Sequence, residues 1–245
     1  MNSLRRMLDV LDLFKSEQPV IDIELVCSKL GYAQASAYRY VRELTAAGLL
    51  VRLPRGYALG PRIIELDRLM TDFHPILVAG RELVRDLAGQ TGLEVLISEL
   101  YGASVIAIYQ HSASNDSGLH FGRGRPMDLF RSATAKVILA YLLPRQLRRL
   151  YDERSADAGT RLGSWKDFSR DMLQVRKDGY CISEGELDPG VSGIAAPIFD
   201  EKKRILGSLT LVGRSERFRA FDKTYLSDLV MGAAQQMTQR IASVD

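Results

Sequence analysis

The sequence predicts an α+β fold divided into two domains. Its 245 residues fit either one large domain or two smaller ones. The first part of the chain combines short helical patterns with a single pair of short strands. The larger remainder places β-rich runs between helical segments, which is typical of one central antiparallel sheet flanked by helices.

The first predicted helix is amphipathic. Its apolar residues recur at spacings of three or four: Leu4, Met7, Leu8, Leu11 and Phe14. Pro19 cannot donate the next helical hydrogen bond, so we expect it to end this helix. The recurring apolar face predicts that these five side chains pack against the rest of the first domain.

Two further helices follow. Asp22 offers a side-chain oxygen as the N-cap of a short helix, and Gly31 is placed to end it in a left-handed conformation. The third helix is predicted from about Gln34 to Ala47, and Gly48 ends it. Its apolar stripe consists of Ala37, Val41, Leu44 and Ala47.

A small hairpin completes the first domain. Two short apolar strands, 49–53 and 57–59, surround a turn that contains Pro54 and Gly56. The order of helix, helix, tight turn, helix and hairpin predicts a winged helix-turn-helix. In this motif the last helix enters the major groove of DNA, and we expect the hairpin to lie over the backbone or the minor groove.

The distribution of charge supports a DNA-binding role. The whole chain has a net charge of only +3. Residues 29–62 contain six Lys or Arg and one Glu, a net charge of +5, between two segments that are each −2. Phosphates respond to such local density. The expected DNA contacts are Gln34, Ser36, Tyr38, Arg39, Arg42, Arg52 and Arg55, with Tyr40 as a further stacking group.

The rest of the chain predicts a helical linker and a mixed domain. Residues 61–70 form a helical pattern, and His74-Pro75 marks a boundary. Helices are predicted at 76–90, 132–142, 165–178 and 220–243, with a short one opened by Pro144. Strands are predicted at 93–99, 105–109, 119–121, 180–183, 192–199 and 206–212, and 122–126 is predicted to be a loop.

Several protein classes are disfavoured. There is no apolar run long enough for a transmembrane helix, and the acidic residues Asp9 and Asp12 interrupt any signal-peptide core. Two distant cysteines form no disulfide framework, so we expect a reduced, cytoplasmic setting. Ser132 and Lys136 miss the spacing of a serine-hydrolase motif, and we expect no enzyme activity, cofactor or metal. A metal site at His111, Asp116 and His120 is the alternative.

The chain resembles the IclR family of bacterial transcription regulators over essentially its whole length. The matching stretches are GYAQASAYRYVRELTAAGLL, RGYALGPRIIEL, LFRSATAKVILA and VRKDGYCISEGELDPGVSGIAAPIFD. The last is the most specific, since it contains a Gly-Tyr, a Glu, a Pro-Gly-Val and an Ile-Ala-Ala-Pro-Ile in the family's order.

The resemblance implies an architecture and a set of partners. It implies a winged helix-turn-helix DNA-binding domain over 1–60, a helical linker over 61–74 and a GAF-like effector-binding and oligomerisation domain over 75–245. It also implies a homodimer or homotetramer that binds a palindromic-type operator in double-stranded DNA. The effector would be a small organic acid, such as an aromatic or carboxylate catabolic intermediate, whose binding shifts the protein between arrangements with different DNA affinities.

Carried over position by position, the resemblance also implies an effector site. The implied residues are Met127, Ser132, Ala133, Thr134, Ser183, Gly193, Thr210 and Val212. Their hydroxyls, with the N–H groups at the start of the helix from 132, suit a carboxylate. The recognition helix matches the family at Ser36 and Arg39 but departs from it at Gln34 and Ala35, where the family often has a Lys and a Ser. Ala135 replaces a usual Gly.

Some alternatives remain open at this stage. Arg123, Arg125 and Arg131 either pair with an acidic effector or lie in a solvated loop. An enzyme with an incidental N-terminal module is one rival function, although the chain offers no evident nucleophile and base pair. A scaffold that uses its winged helix for protein contact is the other, and the basic segment disfavours it.

Overall fold

The structure is a computed structural model that describes residues 2–112, 122–156 and 162–243. The chain divides into two compact units, Met1–Phe73 and His74–Asp245. The predicted strand at 119–121 lies outside the described residues, as do Asp116 and His120 of the alternative metal site. Within the described ranges, no three His, Cys, Asp or Glu side chains cluster as a metal site would require. No helix in those ranges is both long and apolar enough to span a bilayer.

The first unit is a winged helix-turn-helix, as predicted. Its elements are α1 (Ser3–Leu8), a 3₁₀ turn (Leu11–Leu13), α2 (Ile23–Leu30), α3 (Gln34–Ala46), β1 (Leu50–Leu53), β2 (Gly56–Leu59) and α4 (Arg62–Phe73). β1 and β2 pair antiparallel from Leu50 opposite Leu59 to Leu53 opposite Gly56. Gly56, the first residue after the two-residue turn, has a φ of +144°, a value that suits glycine.

The prediction of one long first helix is wrong. α1 ends at Leu8, well before Pro19, and the chain turns at Asp9, whose carboxylate accepts hydrogen bonds from Arg5 and from the Tyr32 hydroxyl. The turn brings Val10 fully into the core and leaves Leu4 and Leu8 exposed. The hydrogen bond between Asp9 and Tyr32 joins residues that are far apart in sequence, so helical periodicity could not indicate the break.

The caps of α2 and the buried stripe of α3 are confirmed in large part. Asp22 accepts a hydrogen bond from the Leu25 N–H at 2.7 Å, and Gly31 ends α2 with a φ of +67°. Three of the predicted stripe residues are buried, namely Ala37, Val41 and Leu44, whereas Ala47 is exposed. Tyr40 is also buried, at 4% exposure, so the expectation that it stacks on DNA is wrong.

The cap at Asp22 gives a stability prediction. Asp22→Ala leaves the Leu25 N–H without its side-chain acceptor, and we expect the free energy of unfolding to fall by about 1 kcal/mol. Asp22→Asn is the matched control, because it removes the same charge but keeps an oxygen that can cap. Urea unfolding measures both. If the two variants lose equal stability, the charge matters here and the cap does not.

The second unit contains the remaining elements. They are α5 (Pro75–Thr91), β3 (Glu94–Tyr101), β4 (Ser104–His111), β5 (Pro126–Met127), α6 (Ala133–Ala140), α7 (Pro144–Ser155), α8 (Trp165–Asp178), β6 (Cys181–Glu184), β7 (Val191–Phe199), β8 (Ile205–Arg214), α9 (Ser215–Arg219) and α10 (Lys223–Ala242).

Six antiparallel strands form one sheet in the order β5-β4-β3-β8-β7-β6, so the predicted central sheet is confirmed. Val95 and Ile97 of β3 pack into a core that α5 and α10 share. Helices α6, α7 and α8 contribute to a second core that includes Val105 and Ala107 of β4. Because side chains alternate along strands, each core takes one face of the sheet.

Two elements of this unit were not predicted. β5 begins at Pro126, the last residue of the predicted loop 122–126. Its Met127 pairs with Val105 at the edge of the sheet. α9 was also missed, because its five residues are too few for a periodic pattern. Both elements are too short to give a sequence pattern, and β5 is recognisable only from its pairing with β4.

Candidate functional site

The outer face of α3 presents a basic surface. The opposite face is fixed in the core by Ala37, Val41 and Leu44, which leaves Tyr38, Arg39 and Arg42 exposed. Together with Arg52 of β1, these residues line a groove of about 670 Å³ between the helix and the hairpin. Four of the seven predicted DNA contacts therefore meet on one surface.

The arginines of this groove are available to an incoming anion. Arg42 pairs with its neighbour Glu43 at 3.0 Å, and both side chains are more than half exposed. Exposed pairs of this kind contribute little, so a phosphate can displace Glu43. The Arg39 guanidinium lies 5.3 Å from the centre of the Tyr40 ring, a cation–π contact that orients the side chain without neutralising it.

The other predicted contacts lie outside the lining of this groove. Gln34 begins α3 and Arg55 is in the hairpin turn, and both are exposed, whereas Ser36 is half-buried. Sequence reasoning missed Thr45 and Tyr57, which line the groove. The sequence could have indicated Thr45, because it lies three residues after Arg42 and residues three or four apart share one face of a helix.

The second unit holds a small cavity at the start of α6. Every residue of the implied effector site lines it: Met127, Ser132, Ala133, Thr134, Ser183, Gly193, Thr210 and Val212. These residues come from β5, α6 and the three strands β6, β7 and β8. The cavity volume is about 30 Å³. That is room for roughly two water molecules, so an organic acid fits only if the wall moves.

The polar groups of this cavity bond to one another. The Thr134 and Thr210 hydroxyls are 3.0 Å apart, and the Ala133 N–H donates to Ser183 Oγ at 3.2 Å. Ser132 Oγ caps α6 by accepting from the Ala135 N–H at 3.1 Å. These bonds satisfy the polar groups that line the cavity, and each hydroxyl can rotate towards a ligand instead.

No Lys or Arg is among the residues that the structure shows lining this cavity. Arg123, Arg125 and Arg131, which the sequence offered as partners for an acidic effector, are therefore not among its lining residues. A carboxylate would therefore depend on hydroxyls and on the N–H groups at the positive end of α6. Asp188 also lines the cavity and would repel an anion unless it turned away.

A loop between β6 and β7 forms part of the wall of the cavity. Leu187 and Asp188 of this loop line it, and Lys136 of α6 forms an ion pair with Glu186 of the same loop. Gly185 and Gly190 bound the loop with φ values of +68° and +77°. Sequence reasoning missed these loop residues and also Leu96, Val191 and Ser192, because they become neighbours of α6 only when the sheet forms.

Two family models match the chain. Residues 3–54 match the IclR helix-turn-helix domain, and residues 69–239 match the model described as bacterial transcriptional regulator IclR C-terminal. The second match alone covers more than half of the sequence.

Curated relatives are similar over nearly the whole chain. The HTH-type transcriptional regulator KipR of Bacillus subtilis is 25% identical over 236 residues, which are 95% of this chain and 94% of that protein. The Pca operon regulatory protein of Acinetobacter baylyi is 24% identical over 243 residues, covering 96% of this chain and 86% of that protein.

Solved structures share the fold. An IclR transcriptional regulator from Alicyclobacillus acidocaldarius aligns with a TM-score of 0.81 and 21% identity, covering 98% of this chain and 97% of that one. An IclR homologue from Microbacterium hydrocarbonoxydans, complexed with 4-hydroxybenzoate, aligns with a TM-score of 0.78 and 17% identity, covering 98% and 99%.

Proposed function

Because the chain belongs to the IclR family of bacterial transcriptional regulators, we propose that it binds a palindromic-type operator whose occupancy a small organic acid controls. The proposed acid is an aromatic or carboxylate catabolic intermediate. The family is one of regulators, which favours this role over the enzyme alternative. The observation that carries the DNA part is the groove of α3 and the hairpin, where Tyr38, Arg39, Arg42 and Arg52 meet.

In the proposed complex, α3 enters the major groove and the hairpin follows the backbone. Arginines at the groove supply phosphate contacts, and side chains at the start of α3 read base edges. Gln34, Ser36 and Arg55 remain proposed contacts at the edges of this surface. A palindromic-type operator requires two copies of the motif, and we therefore propose a homodimer or a homotetramer that acts in the cytoplasm.

The proposed effector site is the cavity at the start of α6. Its hydroxyls and the N-terminal N–H groups of α6 can hold a carboxylate, while Met127 and Val212 face the body of the ligand. The relative named for the Pca operon and the homologue complexed with 4-hydroxybenzoate support an aromatic acid. Since the cavity holds only about 30 Å³, the loop that contains Leu187 and Asp188 must open for such a ligand.

We propose that the effector acts by population shift. An acid that binds the open-loop form more tightly than the closed form raises the ratio of open to closed protein, at saturation by the ratio of the two affinities. The chain between the two domains, proposed as a linker over 61–74, would pass this preference to the DNA-binding domain over 1–60. The domain over 75–245 would bind the acid and form the oligomer.

DNA binding is tested directly with the promoter region upstream of the chain's own gene. Fluorescence anisotropy with purified protein at 50 mM and 200 mM salt should show sequence-specific binding that weakens by a factor of ten or more at the higher concentration. An unrelated duplex of equal length is the control. Equal affinity for both duplexes, or an affinity that salt does not change, would contradict the proposal.

The effector class is tested by thermal shift. A ligand that binds only the folded protein stabilises it by mass action, so an organic acid that fits should raise the melting temperature with its concentration. 4-Hydroxybenzoate and other aromatic and aliphatic carboxylates form the first panel, and their uncharged amides are the controls. The same acid must then change DNA affinity; an acid that binds without that effect is not the effector.

A further inference from the structure

A second and much larger cavity lies on the other side of α6. It has a volume of about 740 Å³, between α6, α8, β6 and the segment 128–131. Apolar and aromatic side chains form much of its wall: Phe130, Phe168, Met172, Val175, Tyr180 and Ile182. Its volume lies within the range of small-molecule sites, and eight of its seventeen lining residues are Asp, Arg, Lys or Gln. None of the residues of the small effector cavity lines it.

The carboxylates around the large cavity already have partners. Asp128 pairs with Arg154 at 3.0 Å, and Asp178 accepts from the Gln174 amide at 2.7 Å. Asp167 and Asp171 at the rim both lie near the Arg170 guanidinium, at 2.9 Å and 4.0 Å. The arginine contacts of Asp128, Asp167 and Asp171 reduce the repulsion that an anion in the cavity would meet, whereas the neutral Gln174 amide leaves the charge of Asp178 in place.

The cations are in a different situation. Arg131 lines the cavity and has no hydrogen bond or ion pair among the described residues. Lys136 also lines it, and its ammonium group pairs with Glu186, which is not part of the cavity wall. The cavity thus combines aromatic walls with one unpaired guanidinium and one ammonium group whose partner lies outside.

From this combination we propose that the large cavity is a second ligand site, specific for an aromatic carboxylate or sulfonate. The ring of the ligand packs against Phe130 and Phe168, whose own rings are in contact with their centres 5.3 Å apart, and its anionic group meets Arg131 and Lys136. This site goes beyond the proposed function, since it uses different residues from the effector cavity and does not depend on DNA binding.

Lys136 connects the two cavities. Lys136 lines the large cavity, and its ammonium group pairs with Glu186, in the loop whose Leu187 and Asp188 line the small one. An anion in the large cavity therefore competes with Glu186 for this lysine. Binding of an aromatic anion weakens the hold of α6 on the loop, so occupancy of the second site favours opening of the effector site.

The probe for this site is 1-anilinonaphthalene-8-sulfonate, an aromatic sulfonate whose emission rises in apolar sites. Trp165 is the single tryptophan of the chain, and its ring centre is 5.9 Å from that of Phe168 in the cavity wall. We expect one dye to bind per chain with a micromolar Kd and to quench Trp165 emission by energy transfer. Weak, unsaturable binding without quenching would overturn the proposal.

Substitutions in each cavity locate the dye. Val175→Phe fills part of the large cavity and Arg131→Ala removes its unpaired cation, and each should weaken dye binding at least fivefold. Arg145→Ala, at an exposed arginine of α7, is the matched charge control and should change nothing. Thr210→Val, in the small cavity, should also change nothing. If Thr210→Val weakens binding and Val175→Phe does not, the dye occupies the small cavity and the proposal fails.

The competition for Lys136 predicts effects of opposite sign. Glu186→Gln frees the ammonium group and should tighten dye binding about threefold, whereas Lys136→Met should weaken it at least fivefold. Both variants lose the same ion pair, so any general loosening of the loop is common to them. Melting temperatures confirm that each variant is folded. Equal dye affinity in the two variants, or tighter binding in Lys136→Met, would refute the role of this lysine.

Discussion

Arg39→Ala should lower the affinity for the specific operator by a factor of about 10 to 100, with the fold unchanged. Arg39 is exposed on α3, it lines the groove shared with the hairpin, and the Tyr40 ring beneath it orients its guanidinium group. A base contact by such an arginine is worth about 1–3 kcal/mol, whereas the loss of a phosphate contact also reduces the dependence of binding on salt.

Arg39→Lys separates the two kinds of contact. A lysine keeps the charge but loses the bidentate geometry that recognises guanine, so it restores binding if Arg39 contacts phosphate and fails to do so if Arg39 reads a base. Affinities at several salt concentrations measure both variants. Arg145→Ala removes an exposed arginine from the other unit and serves as the control for net charge. An unchanged affinity in Arg39→Ala would rule out docking through α3.

Thr210→Val should reduce the response to the organic acid at least tenfold while leaving operator affinity without the acid unchanged. Thr210 is 2% exposed, and its hydroxyl is 3.0 Å from that of Thr134 in the proposed effector cavity. Valine has nearly the same shape but no hydroxyl, so the ligand loses one hydrogen-bonding group. The unpaired Thr134 hydroxyl costs about 1 kcal/mol of stability, which unfolding measurements detect separately.

Thr224→Val makes the same chemical change at an exposed position of α10 and is the matched control. The response is the ratio of operator affinities with and without saturating acid, and the half-maximal acid concentration is measured in the same titration. A tenfold weaker response in Thr210→Val alone places the acid in the small cavity. An unchanged half-maximal concentration would move the effector elsewhere, and the large cavity beyond α6 would be the next place to look.

Much of the fold was predictable because its signals are local. The cap at Asp22 and the stop at Gly31 depend on a few neighbouring residues, and the structure has both. The basic segment 29–62 needed only a count of charges. The prediction of one long first helix was wrong because it used only local periodicity. Val10 belongs to a core whose other residues are distant in sequence.

The sequence by itself determined most of the helices and strands, the basic α3 with its hairpin and, through the family's motifs, eight of the residues that line the small cavity. Only the tertiary structure decided that Tyr40 is buried, that the small cavity has a volume of only about 30 Å³, and that a larger cavity lies beyond Lys136. The physical reason is the range of the interactions. Helical periodicity and capping act over about four residues, whereas both cavities are enclosed by segments that meet only when the chain is packed.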